Sequence, residues 1–261
     1  MVDDTLAEPV QKLLALGEPK YARETSWPDY RSFGIETEHI PSLIAIAVDH
    51  TLLCLEDESD SRVWGPIHAW RALGQLKACQ AIRPLIQLFH QVQDNDWIIE
   101  EMPDVFALIG PEAFADLAAY LRDSSYPSYA RLVAATSLMQ MALVHPHLRS
   151  QAIDLLAVQL SGFQQNSPGM NGVLIANLVE LEAAEKADLI QKVFSEGKVD
   201  RFIGGDWRDI RLRLNPQAHQ REQRKTRQLE KDVDSIPPDP EQRASNQEPC
   251  SQSSSRPDTP C

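Results

Sequence analysis

Residues 63–89, VWGPIHAWRALGQLKACQAIRPLIQLF, carry two apolar stripes at helical spacing with a short break between them. Ala69, Ala72, Leu73 and Leu76 fall at i, i+3, i+4 and i+7, which puts them on one face of a helix. Ile82, Leu85, Ile86 and Phe89 repeat that spacing. Gly74 and the polar and small residues Lys77 to Gln80 separate the stripes, so the stretch predicts a helical hairpin. Neither helix can bury its stripe alone. Such a hairpin needs similar units stacked beside it.

Outward from this hairpin the pattern recurs. On the C-terminal side, DWIIEEMPDVFALIG is followed by PEAFADLAAYL, and YPSYARLVAATSLMQMALVHP by HLRSQAIDLLAVQLSGF. A last pair, NGVLIANLVELEA and EKADLIQKVF, completes the series. If Leu73, Leu108, Leu138 and Leu181 are equivalent on first helices, their separations are 35, 30 and 43 residues. Leu85, Leu117, Leu156 and Leu189 on second helices are then 32, 39 and 33 apart. Both series match the roughly 30 to 47 residue periods of helical-hairpin repeats. Pro41, Pro66, Pro84 and Pro111 fall near expected helix starts, where a missing N–H costs nothing. No segment alternates with period two over a convincing length, so the expected fold class is all-α.

The flanks differ in character. Residues 1–36 hold a short helix over positions 4–16, ended by Gly17, and then EPKYARETSWPDYRSFG, rich in aromatics but without a period. Tyr21, Trp27, Tyr30 and Phe33 are too many aromatics for a solvated linker, so the segment is expected to pack on the first hairpin. A helix is expected from Thr37 as N-cap, and LEDESDSR, residues 55–62, reads as the loop before the organising hairpin. Residues 199–214 read as an amphipathic cover for the last repeat, and Gly204 and Gly205 as the end of one helix and the start of another. Residues 215–261 contain no aromatic residue and seven of the 18 prolines, and are expected to be a disordered polar tail in which QREQRKTRQLEKD is transiently helical.

The segment AWRALGQLKACQAIRPLI resembles the HEAT-like repeat of the phycobilisome lyase type, whose pattern runs A-x-x-A-L-G-x-L-x-x-x-x-A-I-x-x-L. Ala69, Ala72, Leu73, Gly74, Leu76, Ala81, Ile82 and Leu85 fill its places. The resemblance covers about 17 residues; the other hairpins match in length and stripe alone. It implies a right-handed α-solenoid of irregular HEAT-like hairpins over residues 37–214, and scaffolding or adaptor work through the solenoid surface. A minority of such proteins assist attachment of bilin chromophores to light-harvesting proteins, and here Trp27, Tyr30, Trp64 and Trp70 would be the aromatics available to line a site. Some bacterial relatives end in a cysteine-rich zinc motif, from which EPCSQSSSRPDTPC departs.

Composition narrows the partners. The net charge is −13, and residues 1–214 hold 18 basic against 30 acidic side chains, which disfavours nucleic acid and anionic membrane and suits a basic protein partner. No stretch approaches the roughly 18 apolar residues of a membrane span, and the N-terminus lacks the features of a signal peptide, so a cytoplasmic protein is expected. Cys54, Cys79, Cys250 and Cys261 form no close pair, and Cys54 and Cys79 read as small core residues. His39, His50 and His68 invite a metal or acid/base reading, but His39 and His50 on one helix would stand about 16 Å apart. His145 and His147 flank Pro146 in an expected turn. No nucleophile elbow, phosphate loop or dinucleotide fingerprint is present, so no catalytic, cofactor or metal residue is assigned. The outward polar residues of the second helices, Arg83, Gln87, Glu112, Asp116, Asp154 and Lys192, are the expected partner-binding positions.

Overall fold

The computed structural model describes residues 6–20, 26–55, 57 and 59–215. The chain divides into two units, residues 1–214 and 215–261. The expected tail after Asn215, with its transient helix, Cys250 and Cys261, lies outside the described residues, as does Tyr21.

The first unit is all-α, and no strand occurs among the described residues. Its helices are α1 (Glu8–Leu14), α2 (Ile40–Ala47), α3 (His50–Leu53), α4 (Gly65–Gln75), α5 (Ile82–Gln87), α6 (Asp96–Ile109) and α7 (Phe114–Arg122). They continue with α8 (Ser128–Val144), α9 (Arg149–Ser161), α10 (Pro168–Glu180), α11 (Ala187–Ser195), α12 (Arg201–Gly204) and α13 (Trp207–Leu214). Alternate helices stack. One row runs α2 on α4, α4 on α6, α6 on α8, α8 on α10 and α10 on α12, while α5 meets α7 and α9 meets α11. That order of contact is what stacked helical hairpins require.

The stripes of the organising hairpin are buried as their spacing demands: Ala69, Ala72, Leu73, Leu85 and Phe89 are fully inaccessible. The break falls later than Gly74, which is still helical. Lys77 terminates α4 in the left-handed region (φ 53°), with its N–H bonded to Gly74 O at 2.9 Å and Ala78 N–H to Leu73 O at 3.1 Å. This is the paired bonding of a Schellman end, made without glycine. Glu182 ends α10 in the same way, at φ 51°.

Each of α5, α7, α9 and α11 is entered through one 3₁₀ turn, at Cys79–Ala81, Pro111–Ala113, Pro146–Leu148 and Ala184–Lys186. The helices therefore start at residues 82, 114, 149 and 187, which are 32, 35 and 38 apart. Counted from those starts, Leu85 and Leu117 correspond to Ala152 and Ile190, not to Leu156 and Leu189. Leu189 is only half-buried whereas Ile190 is inaccessible, so the assumed register is off by one there.

Two other expectations change. The helix expected from Thr37 begins as a 3₁₀ turn, Thr37–His39, in which Glu36 and His39 form a reciprocal capping box, and α2 proper starts at Ile40. Cys54 and Cys79 are exposed, not core residues. Cys54 caps the short α3, and Cys79 opens the corner turn between α4 and α5, outside both apolar stripes. At the far end Ile210 and Leu214 of α13 are buried, but Phe202 is 98% exposed and covers nothing. Gly204 lies so close to α10 that a Cβ there would meet Gly172 Cα at 3.0 Å, so α10 and α12 touch through backbone.

Candidate protein-binding surface

Another face of α4 is polar, with His68 and Arg71 buried and Gln75 half-buried. His68, Arg71 and Gln75 recur at i, i+3 and i+7, and they hold the N-terminal segment. His68 Nε2 bonds Gly17 O at 2.8 Å and Nδ1 meets the Tyr30 hydroxyl at 2.7 Å. A backbone carbonyl can only accept, so Nε2 carries the proton and Nδ1 accepts from Tyr30. Burial, helped by the Arg71 charge, pushes the His68 pKa below its usual 6.5 against the pull of the Gly17 carbonyl. Gln75 donates to Pro28 O at 2.8 Å and accepts from Tyr30 N at 3.0 Å.

Arg71 makes a forked ion pair with Glu101 of α6, Nε to Oε2 at 2.8 Å and Nη2 to Oε1 at 2.6 Å, with side chains only 2% and 3% exposed. Its Nη2 also bonds Lys20 O at 2.9 Å, and its guanidinium lies 5.0 Å from the Trp27 ring centre. Burial raises the Glu101 carboxyl against the pull of Arg71. These groups clamp one segment to another.

The aromatics considered for a chromophore site belong to this packing. Trp27, Tyr30 and Trp70 are core residues, and Trp70 Nε1 donates to Ala47 O at 2.8 Å. Trp64 is half-buried and meets Trp97 edge to face at 5.9 Å. The histidines stay apart in role: His39 Nδ1 accepts from Glu36 N at 3.0 Å, and His50 faces Cys54 at 3.5 Å. His145 Nε2 bonds Ala107 O at 2.8 Å. Among the described residues no three His, Cys, Asp or Glu side chains are placed to hold a metal ion.

Of the six expected binding positions, three come together. Arg83 and Gln87 of α5 and Asp116 of α7 line one groove of about 250 Å³ with Tyr120, Asp123 and Tyr126. Arg83 Nε reaches Asp116 Oδ2 only at 3.4 Å, and the arginine side chain is 84% exposed. Such a long, solvated pair holds its partners weakly. Tyr120 and Tyr126 stack nearly parallel, centres 4.1 Å apart and planes 7° apart, with His90 leaning on both. Tyr120 is 4% exposed, and its hydroxyl has no hydrogen-bond partner among the described residues. Desolvation, with the phenols of Tyr126 and Tyr129 and the Asp123 carboxylate nearby, raises its pKa. Ser125 bonds Asp123, N to Oδ1 at 2.9 Å, and holds that carboxyl below its usual range, so it is charged at neutral pH.

The other three lie elsewhere. Glu112 is exposed in the turn before α7. Asp154 of α9 is paired with Lys186 at 2.8 Å. The Lys192 ammonium stands 5.8 Å from the Phe163 ring centre. The groove residues missed in the sequence, Asp123 and the two tyrosines, sit at and beyond the end of α7, where the helical stripe that guided the reading stops.

No described helix is long and apolar enough to cross a membrane. Comparison of the chain with protein-family models, with curated proteins and with solved structures returns no match.

Proposed function

We propose that this chain is a non-enzymatic scaffold or adaptor: a right-handed, HEAT-like solenoid that presents its second-helix surface to a basic protein partner in the cytoplasm. The observation that carries the reading is the groove between α5 and α7. Arg83, Gln87 and Asp116, singled out as outward polar positions, share one concavity with a charged aspartate and a pair of stacked aromatic rings. The acidic excess of residues 1–214 supplies the long-range attraction, since charge complementarity speeds encounter and selects partners by sign. A chromophore-attachment accessory would have to hold its bilin away from Trp27, Tyr30 and Trp70, and no observation favours that alternative.

The test is affinity capture from native cytosol at two salt concentrations, using the full chain and the reversal Asp116→Lys. A specific partner should be basic, should be lost at high salt, and should be retained less by the variant. Recovery of no partner, together with turnover of a small molecule by the purified chain, would overturn the reading.

A further inference from the structure

The groove between α5 and α7 has the chemistry of a receptor for one cationic side chain. We infer that it takes a lysine or arginine side chain of the basic partner, an inference that rests on the scaffold reading above.

Three features point the same way. Asp116 and Asp123 both line the groove, where Arg83 is the one cation among the described lining residues and the charge of Arg131 acts on Asp123 from behind. Arg83 is 84% exposed and only 3.4 Å from Asp116 at its nearest, so an incoming ammonium or guanidinium can replace it beside that carboxylate. The second feature is the stack of Tyr120 and Tyr126. Rings 4.1 Å apart and nearly parallel form an offset stack whose π faces are negative. A cation against the open face of that stack is attracted by the ring quadrupoles. The third is the Tyr120 hydroxyl, which has no hydrogen-bond partner among the described residues and belongs to a residue that lines the groove; its oxygen is covered in the free protein, so a bound donor reaches it through a shift of the ring. Lysine and arginine side chains carry only donors, which is what an orphan hydroxyl oxygen can accept. A carboxylate or phosphate would face two aspartates with Arg83 alone to offset them, and is disfavoured on charge.

A groove of about 250 Å³ admits one long side chain and not a helix or a strand. The partner is therefore recognised here at a single residue, with the wider acidic surface attracting the rest of it.

The test titrates hexalysine onto the full chain carrying ring-labelled tyrosine, followed by NMR and calorimetry, with hexaglutamate as control. The Tyr120 and Tyr126 ring signals should move, and the affinity should fall about fivefold in Asp123→Asn and in Tyr126→Ala, with little change in Asp154→Asn. Tyr120→Phe leaves the ring in place, and a smaller loss of affinity there would assign the hydroxyl as an acceptor. Hexalysine that binds with the tyrosine signals unmoved, or equally to all these variants, overturns the groove assignment and leaves the broader acidic surface standing. Failure of hexalysine to bind at all would overturn both.

Discussion

Deleting Glu101 is the sharpest perturbation available, because the consequence follows from a few distances. The Arg71 guanidinium is always protonated and nearly inaccessible, and Glu101 accepts two of the three hydrogen bonds it makes, at 2.8 and 2.6 Å. In Glu101→Ala the charge stays buried beside Lys20 O, the Trp27 face and the Tyr30 hydroxyl, none of them a counter-charge. Removing one partner of a buried pair costs about 3–5 kcal/mol, a third or more of the stability of many domains. With an m-value of about 2–3 kcal/mol/M, the urea midpoint should fall by about 1–2 M. The double variant Arg71→Met, Glu101→Leu removes both charges and strands the Lys20 carbonyl, while the Tyr30 hydroxyl keeps His68, a loss of about 1 kcal/mol. It should therefore be more stable than Glu101→Ala. Urea unfolding followed by far-UV circular dichroism measures both. A double variant no more stable than the single one, or a single variant within about 1 kcal/mol of the parent, would show that the guanidinium is not isolated from water as its burial requires.

Three further outcomes are expected. The folded-state pKa of His68 is held below 6.5 by burial, so between the two values the unfolded chain binds more protons; stability should be full above pH 6.5 and fall on acidification below it, and His68→Gln should flatten that part of a stability-versus-pH curve. Lys77 holds φ 53° at the end of α4, so Lys77→Gly should raise stability by about 0.5–1 kcal/mol in thermal unfolding, where loss of stability would mean its side chain matters more than its backbone. Tyr120→Phe removes a buried hydroxyl with no partner among the described residues and should leave the free protein equal or up to about 1 kcal/mol more stable, and clear destabilisation would reveal a hydrogen bond at that oxygen.

The helices were legible wherever an apolar stripe met a core, and became obscure where burial was polar. The stripes of α4 and α5 are buried as their spacing demands because a row of helices covers them on both sides. Nothing in the same rule says that His68, Arg71 and Gln75 are also covered. Their i, i+3, i+7 spacing was visible, and so was an N-terminal segment with Trp27 and Tyr30 but no period of its own; only together do they predict a polar seam. Glu101 was hidden differently, as one carboxylate inside the run IIEEMPDVFALI. Cys54 and Cys79 were misjudged because apolar neighbours in sequence do not fix which way a corner residue points.

The candidate surface was half legible, and the side-chain ties between hairpins explain which half. Arg83 meets Asp116 across 33 residues, Lys186 meets Asp154 across 32, Arg213 meets Glu180 across 33, and Arg149 reaches Leu181 O across 32. Each separation is close to the 32 residues between the starts of α5 and α7. In a stacked array, residues one period apart are neighbours, so a polar residue one period from its opposite charge is a candidate for holding the array together before it is one for holding a partner. By that criterion Asp154, paired with Lys186 at 2.8 Å, is engaged, and reversing its charge would set two lysines against each other. Loss of partner binding in Asp154→Lys therefore reports on the interface only if the variant melts where the parent does. Asp123 is held by Ser125 two residues away and feels the charge of buried Arg131 eight residues on, ties within its own corner and not across a period, so Asp123→Asn probes binding once its melting temperature is shown to match the parent's.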